Sequence, residues 1–186
     1  MKLYFSKLTK AFNQIDLIQV ENMIEALLSL ERSNGIVFAA GNGGSCTTAQ
    51  HFLLDIGVGS HIRGGGVRTL SLSSDSSELS AIGNDLRYED TLTQRFLQFT
   101  PSHNDLLVVF TASGRSPNIL SLIHAAKSKG IDVCAFTGFD GGDARDFADI
   151  KLHVPTDLGE YGIVEDLHLS ISHHITEQFR QRRPKL

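Results

Sequence analysis

The sequence predicts an α/β protein with a doubly wound, five-stranded parallel sheet flanked by helices. Short apolar runs alternate along the chain with longer segments whose apolar residues recur at helical spacing. This alternation is typical of parallel sheets, because each parallel strand pair needs a crossover connection. The chain has 186 residues and is 41% hydrophobic, enough for one domain with a substantial core. The predicted strands are residues 36–40, 67–72, 106–110, 131–136 and 150–154.

Helical segments lie at both ends of the chain. Apolar residues at helical spacing across residues 6–31 predict a long N-terminal helix, whole or broken, within an N-terminal helical segment of residues 1–34. Its apolar face indicates either an ordinary covering helix or one that also packs against another subunit. Residues 162–182 predict a second long helix. Residues 83–85 predict a break ahead of a helix over residues 88–99.

Charge and cysteine content argue against several classes of protein. A net charge of −4 and a pI near 6.0 give no overall basic field, so we expect no direct nucleic acid partner. No apolar run approaches transmembrane length, and the N-terminus lacks the apolar core of a signal peptide, so we expect no membrane segment. The two cysteines, Cys46 and Cys134, have no C-x-x-C spacing and indicate a reducing compartment. We therefore expect a cytoplasmic protein.

Two polar turns that open helices predict an anion site. Glycine lets the backbone approach a ligand, and the N–H groups at a helix start favour an anion. Either turn alone is equally compatible with tight packing. Because the carboxyl ends of parallel strands meet at one edge of a sheet, the two turns together favour a small phosphate-bearing ligand. The turns contain Asn42, Gly43, Gly44 and Ser45 after the first strand, and Thr111, Ala112, Ser113 and Ser116 after the third.

Carboxylates and imidazoles share helix faces in two segments. His51 and Asp55 are four residues apart in the helix after the first turn, and Glu165 and His173 are eight apart in the last helix. These spacings place each pair on one helix face. Such groups either bind a divalent metal or act as acid and base beside a sugar carbon. A single helical histidine, in contrast, is usually a surface residue or a satisfied core residue.

Five motifs lie in residues 41–52, 83–85, 111–116, 137–142 and 165–173. Taken in order, they resemble those of bacterial phosphoheptose isomerases, which are sugar-isomerase (SIS) domain proteins. The resemblance covers nearly the whole chain and implies a single SIS domain over residues 1–186. It also implies a homotetrameric isomerase that interconverts sedoheptulose 7-phosphate and a D-glycero-D-manno-heptose 7-phosphate through an enediol(ate), commonly with zinc.

The resemblance also implies roles for individual residues. The catalytic pair falls on Asp55 and His173, and the metal set consists of these two residues with His51 and Glu165. The family has glutamate at the position of Asp55 and glutamine at that of Glu165. The aspartate is one methylene shorter, and catalysis is sensitive to displacements of about 1 Å. The implied substrate contacts are Asn42, Gly43, Gly44, Ser45, Asn84, Asp85, Thr111, Ala112, Ser113, Ser116 and Glu165.

Two other functions are compatible with the sequence. One is isomerisation of a different sugar phosphate. The other is a non-catalytic, phosphosugar-binding or regulatory SIS protein that resembles the tetrameric replication initiator-associating protein, which lacks the catalytic acid of the isomerases. The carboxylate at Asp55 and the imidazole at His173 favour the enzyme.

Overall fold

A computed structural model of the chain describes residues 2–183, so the outermost residues of the predicted domain, 1 and 184–186, lie outside the described residues. Its strands are β1 (Ile36–Gly41), β2 (Arg68–Ser71), β3 (Leu106–Thr111), β4 (Asp132–Phe139) and β5 (Ile150–Pro155). They form one parallel sheet in the order β2-β1-β3-β4-β5. The α/β class and the five-stranded parallel sheet are therefore confirmed.

Helices connect the strands and cover the sheet. A short 3-10 turn at Tyr88–Asp90 precedes the sixth helix. Within residues 2–183, none of the helices combines the length and apolarity needed to span a membrane. The helices are α1 (Lys2–Phe12), α2 (Leu17–Ser33), α3 (Gly44–Ile56), α4 (Val58–His61), α5 (Ser76–Asp85), α6 (Thr91–Gln98), α7 (Pro117–Ser128), α8 (Gly142–Phe147) and α9 (Tyr161–Arg182).

The central strands are buried on both faces. Successive strand residues point to opposite sides, so Val108 and Phe110 of β3 pack in the core layer that contains α2, α3 and α9. Leu107 and Val109 of the same strand pack in the layer that contains α6 and α7. This double burial explains why β3 is a continuous apolar run in the sequence.

Of the two forms predicted for the N-terminal helix, whole or broken, the structure has the broken form, which consists of α1 and α2. The break lies between Phe12 and Leu17, where the Asp16 carboxylate accepts a 2.9 Å hydrogen bond from the backbone N–H of Ile18. This bond caps α2 and satisfies one of the free donors of its first turn. Helical periodicity continues across the cap, so the apolar pattern alone does not locate the break.

The predicted break ahead of the next helix is displaced along the chain: α5 includes residues 83–85 and ends at Asp85, so the break lies at residues 86–87. The carboxylate of Asp75 starts this helix by accepting hydrogen bonds from the N–H groups of Ser77 and Glu78, each at 3.0 Å. A glycine inside a helix costs only about 1 kcal/mol relative to alanine. Gly83 therefore does not end the helix.

Candidate active site

The two polar turns meet at the carboxyl edge of the sheet, because β1 and β3 are neighbouring strands. With the first two turns of α9 they enclose a cleft of about 320 Å³. Ligands of open α/β sheets bind at this type of crevice. The lining residues are Asn42, Gly43, Gly44, Ser45, Phe110, Thr111, Ala112, Ser113, Ser116, Tyr161 and Glu165.

The first turn brings backbone close to backbone. A Cβ on Gly41 would lie 2.5 Å from the carbonyl oxygen of Ser45, and Gly43 adopts a positive φ of 54°. The N–H of Gly41 donates a 3.2 Å hydrogen bond to the hydroxyl of Ser73. This close approach places the buried side chain of Ser45, with its hydroxyl group, at the cleft. It also places the free N–H groups at the start of α3 there.

The second turn is held by its own hydroxyl groups. The N–H of Gly114 donates to the Thr111 hydroxyl at 3.2 Å, and the N–H of Arg115 donates to the Ser113 hydroxyl at 3.2 Å. Ser116 is the N-cap residue of α7, but its side chain makes no cap hydrogen bond. The Ser116 hydroxyl is therefore available to a ligand at a helix start.

Arg115 lies between the cleft serines but does not line the cleft. Its guanidinium donates two hydrogen bonds to the carboxylate of Asp140, at 2.6 and 2.7 Å. These bonds lower the pKa of Asp140 to about 2. The pair joins the second turn to the turn before α8.

The side chain of Asn42 is held by hydrogen bonds to two residues that were not predicted from the sequence. Its side-chain oxygen accepts hydrogen bonds from the Tyr88 hydroxyl at 3.1 Å and from the Asn118 amide at 2.9 Å. Its own amide nitrogen donates to the Asn118 oxygen at 3.0 Å. Asn118 follows Pro117 at the start of α7, a position that resembled ordinary helix initiation.

Phe110 and Tyr161 also line the cleft without having been predicted. Phe110 is the last apolar residue of its strand. Its ring packs edge-on against the His168 ring, with 6.1 Å between the ring centroids. His168 is fully buried, which lowers its pKa to about 4, and its Nε2 lies 3.1 Å from the carbonyl oxygen of Thr137. This histidine is therefore a neutral core residue beneath the cleft.

A second group forms where α3 and α9 pack together. His51 Nε2 lies 3.5 Å from Asp55 Oδ2, and His173 Nε2 lies 3.3 Å from His51 Nε2 and 3.9 Å from Asp55 Oδ2. The imidazoles are about half exposed and the carboxylate is 26% exposed, so solvent reaches all three. We call these residues the His–Asp–His group.

The His–Asp–His group fits a divalent metal. One ligand atom from each residue lies within 4.8 Å of the other two. A tetrahedral zinc ion with bonds of about 2.1 Å separates its ligand atoms by about 3.4 Å, which is close to the observed spacings. Two imidazole nitrogens and one carboxylate oxygen also match the three protein ligands of many catalytic zinc sites.

Glu165 is not part of the His–Asp–His group. Its carboxylate lies at the start of α3, where a Cβ on Gly44 would be 2.5 Å from Oε1 and 2.7 Å from Oε2. Eight residues of α-helix span about 12 Å, so Glu165 and His173 share a face of α9 but lie two turns apart. Helical spacing predicted the common face but did not account for this separation.

Asn84 and Asp85 are at the exposed end of α5 and are not among the residues that line the cleft. The Asn84 amide donates a 3.0 Å hydrogen bond to the Asp85 carboxylate. The structure thus brings nine of the eleven predicted substrate contacts into one cleft and leaves these two outside it.

Known proteins share both the sequence pattern and the fold. Residues 4–138 match the family model of the SIS domain. The phosphoheptose isomerase of Burkholderia pseudomallei (strain 1710b) is 35% identical over 157 residues, which cover 84% of this chain and 78% of that relative. The chain belongs to the phosphoheptose isomerase family of SIS-domain proteins.

Solved structures of phosphoheptose isomerases agree with this assignment. GmhA from Neisseria gonorrhoeae superposes with a TM-score of 0.86 at 25% identity and covers 97% of this chain and 96% of its own. The phosphoheptose isomerase of Francisella tularensis gives a TM-score of 0.87 at 25% identity, with coverage of 97% and 94%. The phosphoheptose isomerase fold therefore extends over nearly the whole chain.

Proposed function

We propose that this phosphoheptose isomerase family member interconverts sedoheptulose 7-phosphate and D-glycero-D-manno-heptose 7-phosphate. The observation that carries the proposal is the arrangement on α3. Its N-terminus opens into a hydroxyl-lined cleft suited to phosphate, and its third and fourth turns carry His51 and Asp55. The relatives' names support the enzyme and do not favour the non-catalytic alternative.

Aldose–ketose isomerisation moves a proton between adjacent carbons through an enediol(ate). Asp55 takes the proton from carbon, and His173 exchanges a proton with the sugar oxygens. The serine turns bind the phosphate and supply remote binding energy that positions the reacting carbons. Zinc bound by the His–Asp–His group would supply charge stabilisation for the developing oxyanion.

Incubation of the purified protein with a panel of sugar 7-phosphates and 6-phosphates tests the reaction, with products identified by NMR. We expect turnover of sedoheptulose 7-phosphate. Turnover of another phosphosugar alone would reassign the substrate. Binding of phosphosugars without turnover of any of them would identify a binding protein instead.

The phosphate site predicts the effect of Ser113→Ala. Hydrogen bonds to a charged group are worth about 1.5–3 kcal/mol, so we expect KM to rise by about 10-fold to 100-fold with little change in kcat. Ser128→Ala is the matched control, because Ser128 is exposed and bonds only to the Ala125 carbonyl of its own helix. An unchanged KM in Ser113→Ala would place the phosphate elsewhere.

The metal proposal predicts that chelation lowers activity. We expect extensive chelation to reduce kcat by about 10-fold to 100-fold and added zinc to restore it, because a lost cation no longer stabilises the oxyanion. His124, which packs on Phe147 in another part of the molecule, provides a control: His124→Ala should keep the zinc dependence. Full turnover by demetallated protein would leave His51, Asp55 and His173 as acid–base groups only.

We infer a homotetramer in which neighbouring subunits complete each active site. The four metal ligands implied by the family cannot meet within one straight α9, because Glu165 and His173 are about 12 Å apart. Ten residues along α3 also separate Asp55 from Ser45 by about 15 Å. A neighbouring copy that presents its His–Asp–His group at the cleft beside Glu165 would remove both separations. Exposed apolar residues of α1 and α2, namely Leu3, Phe5, Phe12, Leu17 and Ile18, offer an interface.

Subunit mixing tests the shared site. Asp55→Asn removes the base and Ser113→Asp repels the phosphate, so each homotetramer should be nearly inactive. If one site uses a cleft and a base from different subunits, random 1:1 tetramers should keep up to about a quarter of their sites intact. No recovery of activity after mixing would contradict the inference. Light scattering that shows a monomer, in a preparation with full activity, would also contradict it.

We also propose that residues 1–186 form one SIS domain and that the protein is cytoplasmic. The sheet and its covering helices account for the described residues as one unit with two core layers. Cys46 and Cys134 are both unpaired, which suits a reducing compartment.

A further inference from the structure

Arg180 approaches the His–Asp–His group from α9. It lies seven residues, two helical turns, after His173 on the same helix. Its Nη2 donates a 2.6 Å hydrogen bond to the backbone carbonyl of Asp55 and lies 3.7 Å from Asp55 Oδ1. Its Nε donates a 3.2 Å hydrogen bond to the hydroxyl of Ser60. Asp55 is thus contacted by Arg180 at both its backbone and its side chain.

The end of α3 needs such a partner. The Asp55 carbonyl belongs to the last turn of α3, where carbonyl oxygens lack an N–H donor within the helix. The buried hydroxyl of Ser60 donates to the same carbonyl at 3.0 Å. A cation at this end also complements the helix dipole. Arg180 and Ser60 together hold the turn that carries Asp55.

Gly59 provides the space for this contact. A Cβ at position 59 would lie 2.6 Å from Nη2 of Arg180. Gly59 is not among the residues with positive φ, so its backbone conformation does not itself require glycine. The absent side chain is explained by the path of the guanidinium.

We propose that Arg180 is a positioning residue for Asp55. It divides the two carboxylate oxygens: Oδ1 faces the guanidinium, whereas Oδ2 faces the imidazoles of His51 and His173. This restraint fixes the short aspartate side chain in the orientation that both proton transfer and metal binding require. The inference rests on the proposed function, since it assigns Asp55 a role in that site.

Arg180→Gln tests the inference through two measurements. Zinc affinity is measured by competition with a chromogenic chelator, and kcat and KM are measured with sedoheptulose 7-phosphate. Loss of a partner that orients a ligand typically weakens metal affinity or activity by about 10-fold to 100-fold. We expect weaker zinc binding and a lower kcat at similar KM, with partial recovery in Arg180→Lys. Arg182→Gln is the control, because Arg182 lies on the same helix but pairs with Glu21.

Gly59→Ala provides a second route that keeps the arginine. Its Cβ should displace the guanidinium from Asp55 and reproduce the defects expected for Arg180→Gln. Gly59→Ala therefore tests the role of Arg180 even if Arg180→Gln folds poorly. Folded variants with wild-type zinc affinity and kcat would overturn the role of Arg180 while leaving the isomerase proposal intact. A wild-type chain with neither zinc affinity nor isomerase activity would overturn the proposed function and this inference together.

Discussion

Asp55→Asn is expected to lower kcat by about 10²- to 10⁴-fold while KM stays similar. The amide preserves the shape of the side chain but cannot accept a proton from carbon. The phosphate cleft is formed by other residues, so substrate binding should persist. Steady-state kinetics on a heptose 7-phosphate give both constants. Asp132→Asn is the matched control, because Asp132 is an exposed carboxylate at the start of β4.

Asp55→Glu separates a site adapted to aspartate from a degraded one. Within the restraint that Arg180 and the two imidazoles impose, a longer side chain should misplace the carboxylate and reduce activity. A gain in activity from Asp55→Glu, combined with an inactive wild-type protein, would instead indicate a binding protein descended from an isomerase.

Gly114→Ala is expected to cause a large loss of stability. Gly114 has a φ of 65°, and a Cβ there would overlap the carbonyl group of Gly141, whose carbon would lie 2.6 Å away. The N–H of Ala144 donates to the Gly114 carbonyl at 3.0 Å, so the two turns cannot separate freely. We expect the free energy of unfolding to fall by about 3 kcal/mol or more.

Gly130→Ala distinguishes the steric cost from the backbone cost. Gly130 has a similar φ of 69°, but no atom lies within 4 Å of its missing Cβ. The left-handed conformation alone costs about 1–2 kcal/mol for a residue with a Cβ. Urea denaturation of both variants gives the comparison. Equal losses of unfolding free energy in Gly114→Ala and Gly130→Ala would mean that steric overlap with Gly141 does not contribute to the cost at position 114.

The sheet was predictable because its strands are short apolar runs separated by helices. The central strand β3 begins at the predicted residue and extends one further, to Thr111. Side-chain capping was harder to predict, since the Asp16 cap interrupts a continuous apolar period. The short helix α8 was missed because its six residues, Gly142–Phe147, carry too little periodicity to detect.

The site was predictable where chemistry follows strand ends or single helical turns. Ser45 and Ser113 line one cleft because their strands are neighbours, and His51 and Asp55 are one helical turn apart. Glu165 shows the limit of this reasoning, because a shared helix face does not specify distance along the helix. Tyr88 and Asn118 reach Asn42 only through tertiary packing, which no local pattern encodes.

The parallel sheet has a kinetic consequence for the cleft. Its two turns belong to β1 and β3, which are joined by contacts between distant parts of the chain, such as the Ile36 N–H and the Asp105 carboxylate, 69 residues apart. Loops of this length must close before such contacts form, which slows folding. The cleft therefore exists only once β1 and β3 have paired. Phosphate binding measured during refolding would show when this pairing forms.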